Sequence, residues 1–97
     1  MPGYVIADVD VQDAEAYEDY KQLVPATLEP YGGRFVVRGG EVERLEGTWE
    51  PHRIVLLEFP SPEHARRWYE SEQYAAAKAL RQRASVGSLL LVRGVEP

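Results

Sequence analysis

Asp8, Arg38 and Glu58 are the ionisable side chains on which chemistry would turn, because each falls in a stretch that is otherwise largely apolar: residues 4–9, 35–38 and 53–59. A charge among apolar neighbours needs a partner. In one reading these groups, with Arg34, form an ion-pair cluster that serves only the packing of the protein. In the other they converge on a cleft with apolar walls and a few polar groups, the usual form of a small-molecule site. There Arg38 would hold a carboxylate or enolate oxygen, and Asp8 or Glu58 would act as a base with a pKa raised by burial.

Further candidates lie around this set. Trp49 sits between Gly47 and Pro51, and a large aromatic on a loop reads as a dimer contact, a lid over a ligand or hairpin packing, with Arg53 as its partner. Glu46 beside it reads as an acid or base near that lid, or equally as a turn residue. Tyr17, Tyr20, Tyr31, Trp68, Tyr69 and Tyr74 read as an aromatic core layer. Tyr74 follows a break at Ser71, so its phenol would turn toward the mouth of a cleft and donate to a substrate oxygen. His52 and His64 have no ligand-like neighbour at helical or strand spacing, so no metal site is expected. Nucleophile-elbow, Walker and dinucleotide fingerprints are missing from the sequence, and no cofactor is expected. With no cysteine, thiolate metal sites, disulfides and a cysteine nucleophile are excluded.

The elements that must position these groups follow from the pattern. Residues 4–9 alternate as a strand. Asp13 caps a helix whose apolar positions run from Ala16 to Tyr31, with Pro25 expected to kink or restart it because proline cannot donate to the carbonyl of Lys21. Residues 35–38 form a second strand. Gly39-Gly40 reads as a turn leading to a further extended piece over 41–45. Residues 53–59 form the next strand, Ser61-Pro62-Glu63 starts a helix, Ser71 restarts it, and residues 86–95 supply a last strand. The order predicts an α+β ferredoxin-like βαββαβ domain over 1–97 with a four-stranded antiparallel sheet.

Composition bounds the partners. A chain of 97 residues is one domain, and 16 acidic against 11 basic side chains give a net charge of −5, a poor match to nucleic acid. Arg66-Arg67, Arg81 and Arg83 read as a solvated helix face. No apolar run spans a bilayer and no secretory signal is visible, so a cytoplasmic location is expected, with no membrane partner.

Strand phase carries one more expectation. If Val5, Ala7, Val9, Phe35, Val37, Val55, Leu57, Phe59, Leu89 and Leu91 face the helices, then Tyr4, Ile6, Val36, Ile54, Leu56, Leu90 and Val92 point away from them. The same phase puts Asp8, Arg38 and Glu58 on that outer side. An uncovered apolar sheet implies a partner, and a two-fold homodimer with its sheets face to face is the closed solution.

Tyr17 and Tyr20, Gly32-Gly33-Arg34-Phe35, Arg38-Gly39-Gly40, Glu46-Gly47-Thr48-Trp49 with Pro51 and Arg53, Glu58-Phe59-Pro60-Ser61, and Trp68-Tyr69 with Ser71 and Tyr74 together carry a resemblance. The chain resembles the proteins grouped as domain of unknown function 1330, in the dimeric α+β barrel superfamily. The resemblance implies the fold and the homodimer but no settled activity. Superfamily relatives include cofactor-free monooxygenases, lactone isomerases and haem enzymes, and fold alone does not choose among them. The functional expectation is a small-molecule-binding homodimer whose side chains suit proton transfer or cofactor-independent oxidation of a small carbonyl or phenolic compound. The alternative is a non-catalytic binding or assembly module whose polar residues serve only the dimer.

Overall fold

The computed structural model, which describes residues 1–96, starts each helix at a side-chain oxygen. Asp13 Oδ1 accepts from the N–H of Ala16 at 3.1 Å and opens α1 (Ala14–Leu28). Ser61 Oγ accepts from His64 N at 3.1 Å and opens α2 (Pro62–Glu70). Ser71 Oγ accepts from Tyr74 N at 3.1 Å and opens α3 (Glu72–Ala84). Each cap satisfies a donor that the helix cannot, at a contribution of about 1 kcal/mol. A 3-10 turn (Glu29–Tyr31) ends the first helix, with Gly32 at φ 69° closing it.

The strands β1 (Gly3–Val11), β2 (Arg34–Arg38), β3 (Ile54–Phe59) and β4 (Ser85–Arg93) form one antiparallel sheet in the order β2-β3-β1-β4. This is the expected ferredoxin-like arrangement. One face carries Val5, Ala7, Val9, Leu57 and Phe59 into a core with Tyr17, Val24, Leu28, Ala65, Trp68 and Tyr74 from the helices. Trp68 anchors that core: its ring stacks on Tyr74 at 4.1 Å, and its Nε1 donates to Thr27 Oγ1 at 3.0 Å. Such burial removes the indole from water while keeping its one polar atom paired. The opposite face keeps Val36, Leu90 and Val92 exposed, Leu90 at 60%. No helix is long and apolar enough to cross a membrane among the described residues.

Four expectations need correction. Residues 41–45 form no strand, and 39–53 are a loop between β2 and β3. The last strand begins at Ser85 and ends at Arg93. Of the kink or restart expected at Pro25, the restart does not occur: helix α1 runs through that residue. The fourth bears on function: β2 is bulged. Phe35 pairs with Leu57, but Val37 pairs with Leu56 and Arg38 with Val55. The extra residue reverses the alternation over the rest of the strand. Val37 therefore shares the outer face with Leu56, and Arg38 shares the helix-side face with Val55.

Candidate functional site

The bulge separates the three charges that the strand pattern had grouped. Asp8 and Glu58 stay on the outer face, whereas Arg38 crosses to the helix side. Both carboxylates are satisfied within the chain. Asp8 accepts from the main-chain N–H of His52 at 2.9 Å, from Trp49 Nε1 at 3.1 Å and from the N–H of Arg53 at 3.4 Å. It thus ties the 39–53 loop to β1. Glu58 accepts from the Tyr4 hydroxyl at 3.0 Å and from Arg34 Nε at 2.7 Å.

Neither carboxylate has the raised pKa of a base. The N–H of His52 is the main cause holding the Asp8 carboxyl below its ordinary value, and the indole of Trp49 adds to it. The hydroxyl of Tyr4, then the guanidinium of Arg34, lowers Glu58 in the same way. Hydrogen bonds to the charged form together outweigh the opposing desolvation at both sites.

Trp49 and Glu46 lie elsewhere as well. The Trp49 ring, 63% exposed, lies over the outer face beside Ile6, Ile54 and Pro51, in a shallow depression that Glu46 also borders. Tyr74 does not reach any mouth. It is wholly buried, stacked on Trp68, with its hydroxyl 2.8 Å from that of Tyr20.

A different cavity draws the cations together. Between α1 and the sheet lies a space of about 460 Å³, mouth included, walled by Val5, Ala7, Val9, Phe35, Leu57 and Trp68. Most of that space is mouth, so the enclosed part of the pocket is narrow. Arg38, Arg53 and Arg81 all line it, and no carboxylate does among the described residues. The three lie at graded depth: Arg38 is exposed, Arg53 half-buried and Arg81 buried.

Each arginine is held by a feature of the local chain. Pro25 has no N–H to give Lys21, and Arg38 Nη2 donates to that Lys21 carbonyl at 2.6 Å. Arg38 also lies over the Phe35 ring, 4.1 Å from its centroid. The Arg53 guanidinium packs against Gly39, which at φ 69° turns the chain out of β2 and whose missing Cβ leaves the room. It also approaches the Tyr17 ring at 5.5 Å. Arg53 Nε is buried without a hydrogen-bond partner among the described residues. Arg81 Nε donates to the Tyr74 hydroxyl at 3.3 Å, continuing into the hydroxyl of Tyr20, a residue that lines the cavity. Burial, reinforced by Tyr74, pushes the Tyr20 phenol far up, so it remains protonated and can donate.

Of the sequence candidates, only Arg38 and Arg53 meet in this cavity. Arg81 and Tyr20 were missed as functional groups. Helical spacing held the clue to Arg81: it lies four residues after Ala77 and seven after Tyr74, on the stripe those residues bury. Its charged neighbours Arg83 and Lys78 masked that position.

Solved structures with the same fold include the RPA0582 protein of unknown function from Rhodopseudomonas palustris, at TM-score 0.76 and 24% identity, covering 99% of this chain and 84% of that one. The cofactor-independent oxygenase SnoaB from Streptomyces nogalater aligns at TM-score 0.66 and 12% identity, covering 99% and 95%. Rv0793 from Mycobacterium tuberculosis aligns at TM-score 0.58 and 16% identity, covering 100% and 98%. At such identities the likeness is one of fold. No curated protein matches the chain. The model of the family described as domain of unknown function DUF1330 matches residues 2–95, and the chain belongs to that family.

Proposed function

We propose that this protein binds a small organic anion in the cavity beneath α1, and that any reaction there is proton transfer or cofactor-independent oxidation at a carbonyl or phenolic group. One observation carries the reading: three arginines border an aromatic and apolar pocket with no carboxylate to neutralise them, and the buried Nε of Arg53 has no partner among the described residues. Buried polar atoms are ordinarily satisfied, so an unpaired one in a residue that lines a cavity supports a ligand there. The fold shared with a cofactor-independent oxygenase supports the reaction class by analogy alone.

A homodimer completes the proposal. The apolar outer face of the sheet, with Leu56, Leu90 and Val92, is covered by a second copy, and Trp49 with Leu45 extends that surface from the loop. One observation favours the non-catalytic alternative for part of the molecule: Asp8 and Glu58 are fully occupied in holding the loop and the sheet.

Native mass spectrometry of gently purified protein, followed by calorimetric titration with benzoate, tests both parts. The expected result is a dimer that retains or takes up an organic acid, with affinity reduced at least tenfold in Arg38→Met and Arg53→Met. Unchanged binding in both folded variants would sink the cavity reading.

A further inference from the structure

Anion binding leaves open what the arginines do to the molecule they hold, and the inference about that rests on the binding reading. The groups facing the cavity are few. Helix α1 presents Tyr17, Tyr20 and Lys21, and Lys21 is paired with Glu18 at 3.0 Å. Strand β2 presents Arg38, the loop end Arg53, and α3 Arg81. From β1, β3, β4 and α2 come only apolar walls and the Trp68 ring. The cavity thus holds excess positive charge and two tyrosines, of which Tyr20 is kept protonated by burial, but among the described residues no carboxylate or imidazole to serve as a base.

A pocket of that kind does not need a base to generate an oxyanion. Positive charge in a partly desolvated site favours the conjugate base of a weak acid over the acid itself. A carboxylate would be bound as it already exists in water, whereas a phenol or an enol would change state on binding.

We propose that the cavity under α1 takes a phenol or an enol and ionises it, with Arg38, Arg53 and Arg81 stabilising the oxyanion and the Tyr20 hydroxyl donating to it. In the step, the substrate O–H bond breaks. The electron pair stays with the substrate as phenolate or enolate, and the proton passes to water at the mouth. Tyr20 is free to donate because its partner Tyr74 can donate to it: Arg81 Nε donates to Tyr74 Oη, which leaves the Tyr74 proton for the Tyr20 oxygen and the Tyr20 proton for the cavity. Arg38 is the exposed member of the three, and it donates to the Lys21 carbonyl beside the cavity.

A nitrophenol that absorbs visible light only when ionised is the probe. Its absorbance is titrated against pH in the presence of excess protein, and benzoate, ionised throughout, is used to displace it. The expected result is an apparent pKa at least about one unit below that of the free probe, equivalent to about tenfold tighter binding of phenolate than of phenol. The shift should shrink in Arg53→Met and in the more exposed Arg38→Met, while Arg53→Lys retains part of it. A probe that binds and is displaced by benzoate but ionises at its free pKa would overturn this inference and leave the anion-binding reading standing. Binding of neither nitrophenol nor benzoate would overturn both.

Discussion

Replacing Pro25 should expose the link between helix α1 and the site. Proline in a helix interior costs about 3 kcal/mol relative to alanine, in part because the carbonyl four residues back loses its donor. Here that carbonyl belongs to Lys21, and Arg38 Nη2 supplies the donor at 2.6 Å. A hydrogen bond from a charged donor contributes up to about 3 kcal/mol when buried. Arg38 is exposed, so about 1 kcal/mol is the appropriate figure. Pro25→Ala should therefore stabilise the native chain by about 2 kcal/mol, since the gained helical bond displaces Arg38. In an Arg38→Met background, where nothing is displaced, the gain should be about 3 kcal/mol. The cation-aromatic contact of Arg38 with Phe35 is lost in both Met chains and cancels in the cycle. Urea unfolding of the four chains at one protein concentration reads the difference of about 1 kcal/mol, or roughly 4–8 °C in Tm. Gains equal within about 0.3 kcal/mol in the two backgrounds would refute the coupling of Pro25 to Arg38. A destabilised Pro25→Ala would refute the account of the helix itself.

Acid should weaken the protein through Asp8 and Glu58. Both carboxyls lie below their ordinary values when folded, so their contribution is present above the unfolded pKa near about 4 and is lost as pH falls through the folded values. Urea midpoints followed downward from about pH 6 should fall less steeply in an Asp8→Asn, Glu58→Gln chain, and an equally steep fall would count against these assignments. Gly39→Ala should cost about 1 kcal/mol for its positive φ alone, and should also weaken benzoate binding because the new methyl displaces the Arg53 guanidinium. Intact binding would show that Arg53 does not depend on that contact. Trp68→Phe should cost about 2–3 kcal/mol, through lost volume and the lost bond to Thr27, and lower Tm by roughly 10 °C or more. Leu90→Glu should yield folded monomers in sedimentation experiments, and a persisting dimer would place the interface elsewhere.

The frame of the protein was legible in its residues alone. Asp13, Ser61 and Ser71 act as caps through contacts within three residues, and the alternation of residues 4–9 needs only the pleat of a strand. The free carbonyl of Lys21 was likewise legible, because the missing donor of Pro25 is a property of the residue. Its actual partner emerged only from the folded chain. One extra residue in β2 turned Arg38 from the outer face to the helix side, and a bulge at Val36 has no distinctive composition, since it arises from how two strands pair. The same holds for the carboxylates: Asp8 and Glu58 looked like candidate bases while their neighbours were unknown. The loop and Arg34, many residues away in the chain, make them structural acceptors. Local rules fix elements because their partners are close in sequence. The cavity gathers Arg38, Arg53 and Arg81 from a strand, a loop and a helix, and their meeting depends on register and packing that no short segment contains.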